Sequence, residues 1–251
     1  MDLEIEQLSK SFLLLSINQE KIIKIQKWFR GCIVRLTKLP LIMYKIQKYL
    51  KSQKIIFSNK NDDGRINSCI DEDKVIKLLI KEFKEKIKKP KKRHWYDILA
   101  YDYTYGWLPI NIKITTTLTN DNTGNLAMCV YSYTNEMLDI HSHNTYNNGK
   151  MSNILFNKIK NKEYNINNKK DYYFLVLNKN NSNDIIINSL KGLKILTQNL
   201  NNLPFQIKWC DNKIFEYKNI NIQIKLFIDC LQKPKPSWKE TFMTNIRTIK
   251  L

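Results

Sequence analysis

The sequence predicts a mixed α/β chain, with a central sheet flanked by helices and a helical appendage at the N-terminal end. Three observations carry this expectation. Apolar residues recur at a helical period through residues 1–57, with no strand pattern. Runs rich in β-branched and aromatic residues begin near His94. Helical stripes then alternate with further strand-like runs. We therefore expect a helical region over 1–57 and an α/β domain over 58–251.

In the first region, Ile22, Ile23, Ile25, Phe29, Cys32, Ile33 and Leu36 recur close to a 3.6-residue period. Pro40 interrupts this stripe, and a second helix is expected through Leu41, Ile42, Tyr44, Ile46, Tyr49 and Leu50. Residues 58–67 read as a loop, with Asp62-Asp63-Gly64 contained in it as the turn signal. Ser68 and Asp71 resemble a loose capping box for a helix carrying Val75, Ile76, Leu79, Ile80, Phe83 and Ile87, which should end at Pro90. His94–Tyr101 and Gly106–Thr117 read as a strand hairpin, followed by a helix after Gly124. Residues 135–153 read as a loop and Asn153–Lys162 as a short helix. Strands are expected at Asp171–Lys179, Asp184–Ser189, Lys194–Leu196 and Phe205–Trp209, then a helix over Asn219–Leu231. Lys233–Trp238 reads as a turn or linker.

With 42 Lys and Arg against 23 Asp and Glu, the net charge is +19, spread along the chain. Such a field attracts polyanions, and nucleic acid is the commonest of them. Asn, Lys and Ile dominate the composition, so runs of Lys or Asn carry less weight than usual. Cys32, Cys69, Cys129, Cys210 and Cys230 are scattered and odd in number, which suggests neither a zinc site nor a disulfide framework. Reduced thiols in an intracellular setting, cytoplasm or nucleus, are expected. The acidic start is not a signal peptide, and no apolar run is long enough to span a bilayer, so no membrane partner is expected.

The hairpin holds the candidate chemistry. Alternation places Ile110, Ile112 and Ile114 on one face of the second strand and Asn111, Lys113 and Thr115 on the other. A lysine in so apolar a strand needs a partner or a function. Asp97 is the lone charge among aromatic and aliphatic residues on the first strand, and antiparallel pairing would let it approach Lys113. The plain alternative is an ion pair between the two.

An Asp on one strand, then a strand reading Asn111-Ile112-Lys113, then a helix, resembles the PD-(D/E)xK nuclease superfamily, and specifically its type II restriction enzymes. The resemblance covers roughly residues 68–210. It implies an α-β-β-β-α-β restriction-endonuclease-like core, a Mg²⁺ cofactor and cleavage of double-stranded DNA, with Asp97, Asn111, Lys113 and Glu72 as catalytic residues. Asp97, Glu72 and the Asn111 oxygen would bind the metal, and Lys113 would orient or help deprotonate the attacking water. The family's second acid falls on Asn111, whose neutral oxygen binds a hard cation less strongly. Glu72 precedes Val75 and Ile76 by three and four residues, so it shares their helix face and is the substitute acid. Asp71 and Asp73 fall off that stripe. Palindromic cutting would call for a homodimer.

Ile25-Gln26 followed by Arg30-Gly31 and Arg35 is similar to an IQ motif, which implies calmodulin as a partner through Ile25–Arg35. The same helix also reads as one that packs on the core or contacts DNA. An inactive DNA-binding or calmodulin-binding adaptor is the rival function. His141 and His143 offer ligand types without neighbouring acids, and Lys88–Arg93 reads as a phosphate contact, a nuclear-localisation patch or a solvated turn. Trp95 and Trp107 read as core.

Overall fold

A computed structural model describes residues 18–26, 39–58, 64–91, 94–138, 148–199, 203–231 and 238–249. The chain forms two compact units, Met1–Leu39 and Pro40–Leu251. In the first, residues 18–26 are helical (α1). The division falls at Leu39, earlier than the expected 57, because helix α2 (Leu41–Ser52) belongs to the sheet-bearing unit. It buries Ile42, Met43, Ile46 and Leu50, a stripe at helical spacing.

Helix α3 spans Gly64–Phe83. It begins before Ser68, which is therefore interior and not a cap. It ends before the basic run, not at Pro90: a 3-10 turn follows at Lys84–Lys86, with Lys84 at φ 48°. Ile87 leaves the helical stripe and enters a short strand, β1 (Ile87–Lys88). The expected hairpin forms as β2 (Ile98–Asp102) and β3 (Gly106–Thr115). Gly106 closes its turn at φ +74°, a left-handed conformation suited to glycine. After β4 (Asn120–Asp121) come helices α4 (Leu126–Thr134) and α5 (Asn148–Lys160). The Asn125 side chain accepts the Met128 N–H at 2.8 Å and caps α4. Strands β5 (Tyr173–Asn178), β6 (Asn181–Ser189), β7 (Thr197–Gln198) and β8 (Phe205–Lys208) follow. Helix α6 (Ile220–Cys230) lies close to its expected bounds, and a further helix, α7 (Trp238–Ile246), was not foreseen. Most of the Lys233–Trp238 segment lies outside the described residues, as do His141 and His143.

The main sheet has the order β1-β2-β3-β5-β6. Its pairs are antiparallel except β3 with β5, which run parallel. Strands β4, β8 and β7 form a second, three-stranded sheet. One face of the main sheet, including Phe174, Val176 and Ile186, packs into a core with α4, α5, α6 and α7. On the other face Ile110, Ile112 and Ile114 lie opposite Tyr173, Leu175 and Leu177, where α2 and α3 pack. Each buried aliphatic side chain contributes about 1.5–3 kcal/mol over exposure. A one-residue slip of β3 would exchange these isoleucines for Asn111 and Lys113, so burial fixes the register.

The ladder between β2 and β3 ends at Ile98 and Ile110. Beyond it, residues 111–115 of β3 pair only with β5, which leaves their other edge without a strand. Helix α3 runs beside this open edge, and the Ser68 hydroxyl donates to the Ile114 carbonyl at 3.4 Å. On the far side of the sheet the Gln47 amide donates to the Ile185 carbonyl at 2.8 Å. Among the described residues, no helix is long and apolar enough to cross a membrane. Cys69, Cys129, Cys210 and Cys230 are free thiols.

Candidate active site

Asp97 precedes β2 and occupies the position opposite Asn111. Its own N–H donates to the Ile110 carbonyl at 2.9 Å. Its Oδ2 accepts the Ile112 backbone N–H at 2.7 Å and the Asn111 Nδ2 at 2.9 Å. The carboxylate thus takes over where the β2 backbone stops pairing, satisfying an N–H on the open edge of β3. A buried edge N–H left without a partner would be costly.

Strand alternation puts Asn111 and Lys113 on one face, as expected. The expected approach of Lys113 to Asp97 is electrostatic and not a direct ion pair among the described residues. The positive charge of Lys113 acts on both Asp97 and Glu72. Burial raises the Asp97 carboxyl above its ordinary range, while the Ile112 amide, Lys113 and Lys89 pull it back. Burial pushes Glu72 up to about 7; Lys113 opposes this, while Asp97, Asp121 and Asp73 add to it. Glu72 is therefore poised between its charged and neutral forms near neutrality.

Glu72 and Asp97 share a pocket of about 250 Å³ with Cys69, Asp73, Ile76, Lys89, Pro90, Lys91, His94 and Tyr96. The basic run after β1 thus supplies the pocket's Lys89 and Lys91, while Lys89 also pairs with Asp73 at 2.8 Å. The His94 ring lies 5.0 Å from that of Tyr96.

Two further acids depart from the sequence reading. Asp71, expected off the buried stripe, is buried. It accepts the Ser58 N–H and hydroxyl at 2.8 Å each, and Lys74 at 2.8 Å, tying α3 to the segment after α2. Asp121, in a polar stretch with no motif to mark it, is close enough to Glu72 to raise its pKa. Its carboxylate accepts the Trp209 indole N–H at 3.1 Å, a bond across the β4–β8 pair that no local pattern announces.

The oxygens of Asp97, Glu72 and Asn111 are of the type a hard divalent cation prefers. Both hydrogen bonds of the Asp97 side chain go to Oδ2. Asn111 Oδ1 is buried and accepts no hydrogen bond among the described residues. No group of three or more His, Cys, Asp or Glu among the described residues is arranged to hold a metal. A cation here would rest on Asp97, Glu72, the Asn111 oxygen and water; Mg²⁺ usually keeps several waters and uses one or two carboxylates.

No protein-family model, curated protein or solved structure matches the chain. The IQ-like segment is helical at Ile25 and Gln26, and residues 27–35 lie outside the described residues.

Proposed function

We propose that the chain is a Mg²⁺-dependent endodeoxyribonuclease that hydrolyses phosphodiester bonds in double-stranded DNA at specific sequences, on a restriction-endonuclease-like core. The observation that carries the reading is the convergence of Asp97, Asn111 and Lys113 at the open edge of β3 with Glu72 from α3. The order α3, β1, β2, β3, β4, α4, α5, β5 supports it: apart from the two-residue β4, which belongs to the second sheet, and the presence of two helices instead of one, it follows the helix-strand-strand-strand-helix-strand sequence that the resemblance implies. The net charge of +19 suits a polyanionic substrate.

Asp97, Glu72 and the Asn111 oxygen would hold the cation. When bound, it would polarise the phosphate and lower the pKa of a coordinated water. Lys113 would orient a nucleophilic water and offset negative charge gathering on the phosphate oxygens. Lys89 and Lys91 would draw the backbone into the pocket. A homodimer would place two such sites on a palindrome.

The Asn111 amide favours a second reading. It donates to Asp97 where the family has an acid, which suits an inactive DNA-binding or calmodulin-binding adaptor. Incubation with supercoiled plasmid and Mg²⁺, beside Lys113→Ala and an EDTA control, separates the two. Discrete fragments lost with either control support the sequence-specific nuclease. A smear indicates cutting without site preference, and intact plasmid with Mg²⁺ and Mn²⁺ over several DNA substrates overturns the enzyme reading.

A further inference from the structure

The tip of the β2–β3 hairpin carries aromatic rings that the candidate site does not use. Tyr101 and Trp107 are cross-strand partners, with ring centroids 5.2 Å apart. Tyr103, in the turn, meets Tyr101 edge-on at 5.8 Å and is 72% exposed. Lysines from the segment before β2 sit on these rings: Lys88 lies 4.1 Å from the centroid of Trp107 and Lys86 lies 4.8 Å from that of Tyr103. Among the described residues, no ion pair engages Lys86 or Lys88. Trp107, expected in the core, is only half-buried.

The tip is held rigidly. Asp102 accepts the Thr104 and Tyr105 N–H groups through Oδ1 at 2.9 and 3.3 Å, and the Ile42 N–H through Oδ2 at 3.1 Å. One buried carboxylate therefore fixes the turn and the start of α2 together. A cross-strand Tyr–Trp pair alone would merely stabilise a hairpin. That role explains neither the exposed Tyr103 nor the cations, whereas positive charge interleaved with rigid rings suits unpaired bases, which stack on aromatics while lysines meet the phosphates.

We propose that Tyr101, Tyr103 and Trp107, with Lys86 and Lys88, form a stacking platform for unpaired bases of a single DNA strand. The choice of DNA rests on the proposed function, but capture by the platform needs neither metal nor cleavage. Strand alternation places Tyr101 and Trp107 on the same sheet face as Asp97 and Asn111. Tyr101 lies four residues beyond Asp97, about 13 Å at ~3.3 Å per residue. A strand held there would be gripped a few nucleotides from the phosphate at the carboxylates.

The test is fluorescence anisotropy of a short labelled oligothymidylate in EDTA, with an abasic oligonucleotide and a duplex of equal length as competitors. Tyr103→Ala, at an exposed position, should weaken binding roughly 5- to 100-fold, with Tyr103→Phe close to the parent protein. The abasic strand should compete poorly. Equal binding by Tyr103→Ala, equal competition by the abasic strand, or no binding of the oligothymidylate would each overturn the platform. The duplex, which the proposed active site also binds, should be bound equally by the parent protein and Tyr103→Ala, and a matching loss of duplex binding would overturn it as well. Ile214→Ala, at an exposed position outside both the platform and the candidate site, serves as the control that binds normally. Plasmid left uncut by the parent protein, with oligothymidylate binding intact, would remove the nuclease and leave the platform; the converse would remove the platform alone.

Discussion

Asn111 and the backbone of Ile112 both donate to one oxygen of Asp97, Oδ2, at 2.9 and 2.7 Å. Asp97 therefore has a structural duty at the end of a ladder as well as its proposed duty to a cation. The two can be separated. Asp97→Ala leaves the Ile112 N–H without its acceptor and should cost about 1–3 kcal/mol in urea unfolding. Asp97→Asn keeps an oxygen for that N–H and should lose less, while both variants lose cleavage. An Asp97→Ala protein as stable as the parent would refute the structural duty.

Asn111→Asp would place a second carboxylate against Asp97. Without a cation, like charges should lower stability and raise the acids' pKa values. With Mg²⁺ the added anionic oxygen should tighten binding, by about tenfold if it gains ~1.4 kcal/mol. Calorimetric titration of Mg²⁺ into both proteins measures the difference, and unchanged affinity would remove position 111 from the ligand set.

Glu72 links acidity to stability and to metal binding. Its folded pKa of about 7 lies above the ordinary 4.5, so between these values the folded state binds more protons than the unfolded state. The contribution of Glu72 to stability without metal is thus greatest below 4.5 and is lost as pH rises toward about 7. The full effect is on the order of 3 kcal/mol. Glu72→Gln should flatten this decline in urea midpoints measured across the range. A cation needs the carboxylate, so Mg²⁺ affinity should fall about tenfold per unit below 7 in the parent protein but not in Glu72→Gln.

Lys191 is almost wholly buried, and its ammonium donates to the Asn165 and Asn167 carbonyls at 3.2 and 2.8 Å. Its backbone N–H donates to the buried Asp171 carboxylate at 2.8 Å. Burial lowers the Lys191 pKa while Asp171 raises it back. Lys191→Met should remove both carbonyl contacts and leave the Asp171 charge uncompensated, costing about 3–5 kcal/mol. Amide hydrogen exchange should quicken around 165–170; a loss below ~1 kcal/mol would mean that Asp171 is neutral in the folded protein.

Much of the central sheet was legible because its signals are local. The alternation of Ile110, Ile112 and Ile114 gave β3 its faces, and these set Asn111 and Lys113 together. Glu72 was legible from helix spacing. Strand β1 was not: Ile87 continues the i, i+4 pattern from Phe83, and only pairing with Ala100 across the loop makes it a strand. Asp71 was misplaced although it precedes Val75 by four residues and Leu79 by eight and so shares their helix face; what lets a carboxylate be buried there, acceptance from Ser58, lies in another segment. Asp121 and the ring of Trp107 share that difficulty, since each is defined by a partner in a separate segment, Trp209 just past β8 and Lys88 in β1.

The two margins of the main sheet bear on how copies of this chain can meet. At one margin β1 offers only Ile87 and Lys88, a template too short for another strand to lengthen. At the other, Gln47 of α2 already occupies the Ile185 carbonyl. Each border is thus blunted as a template for a neighbouring strand, one by its length and the other by a side chain at Ile185. Contacts between copies built from side chains on helices and loops could be redesigned without disturbing β3, which carries Lys113, or the residue before β2, Asp97.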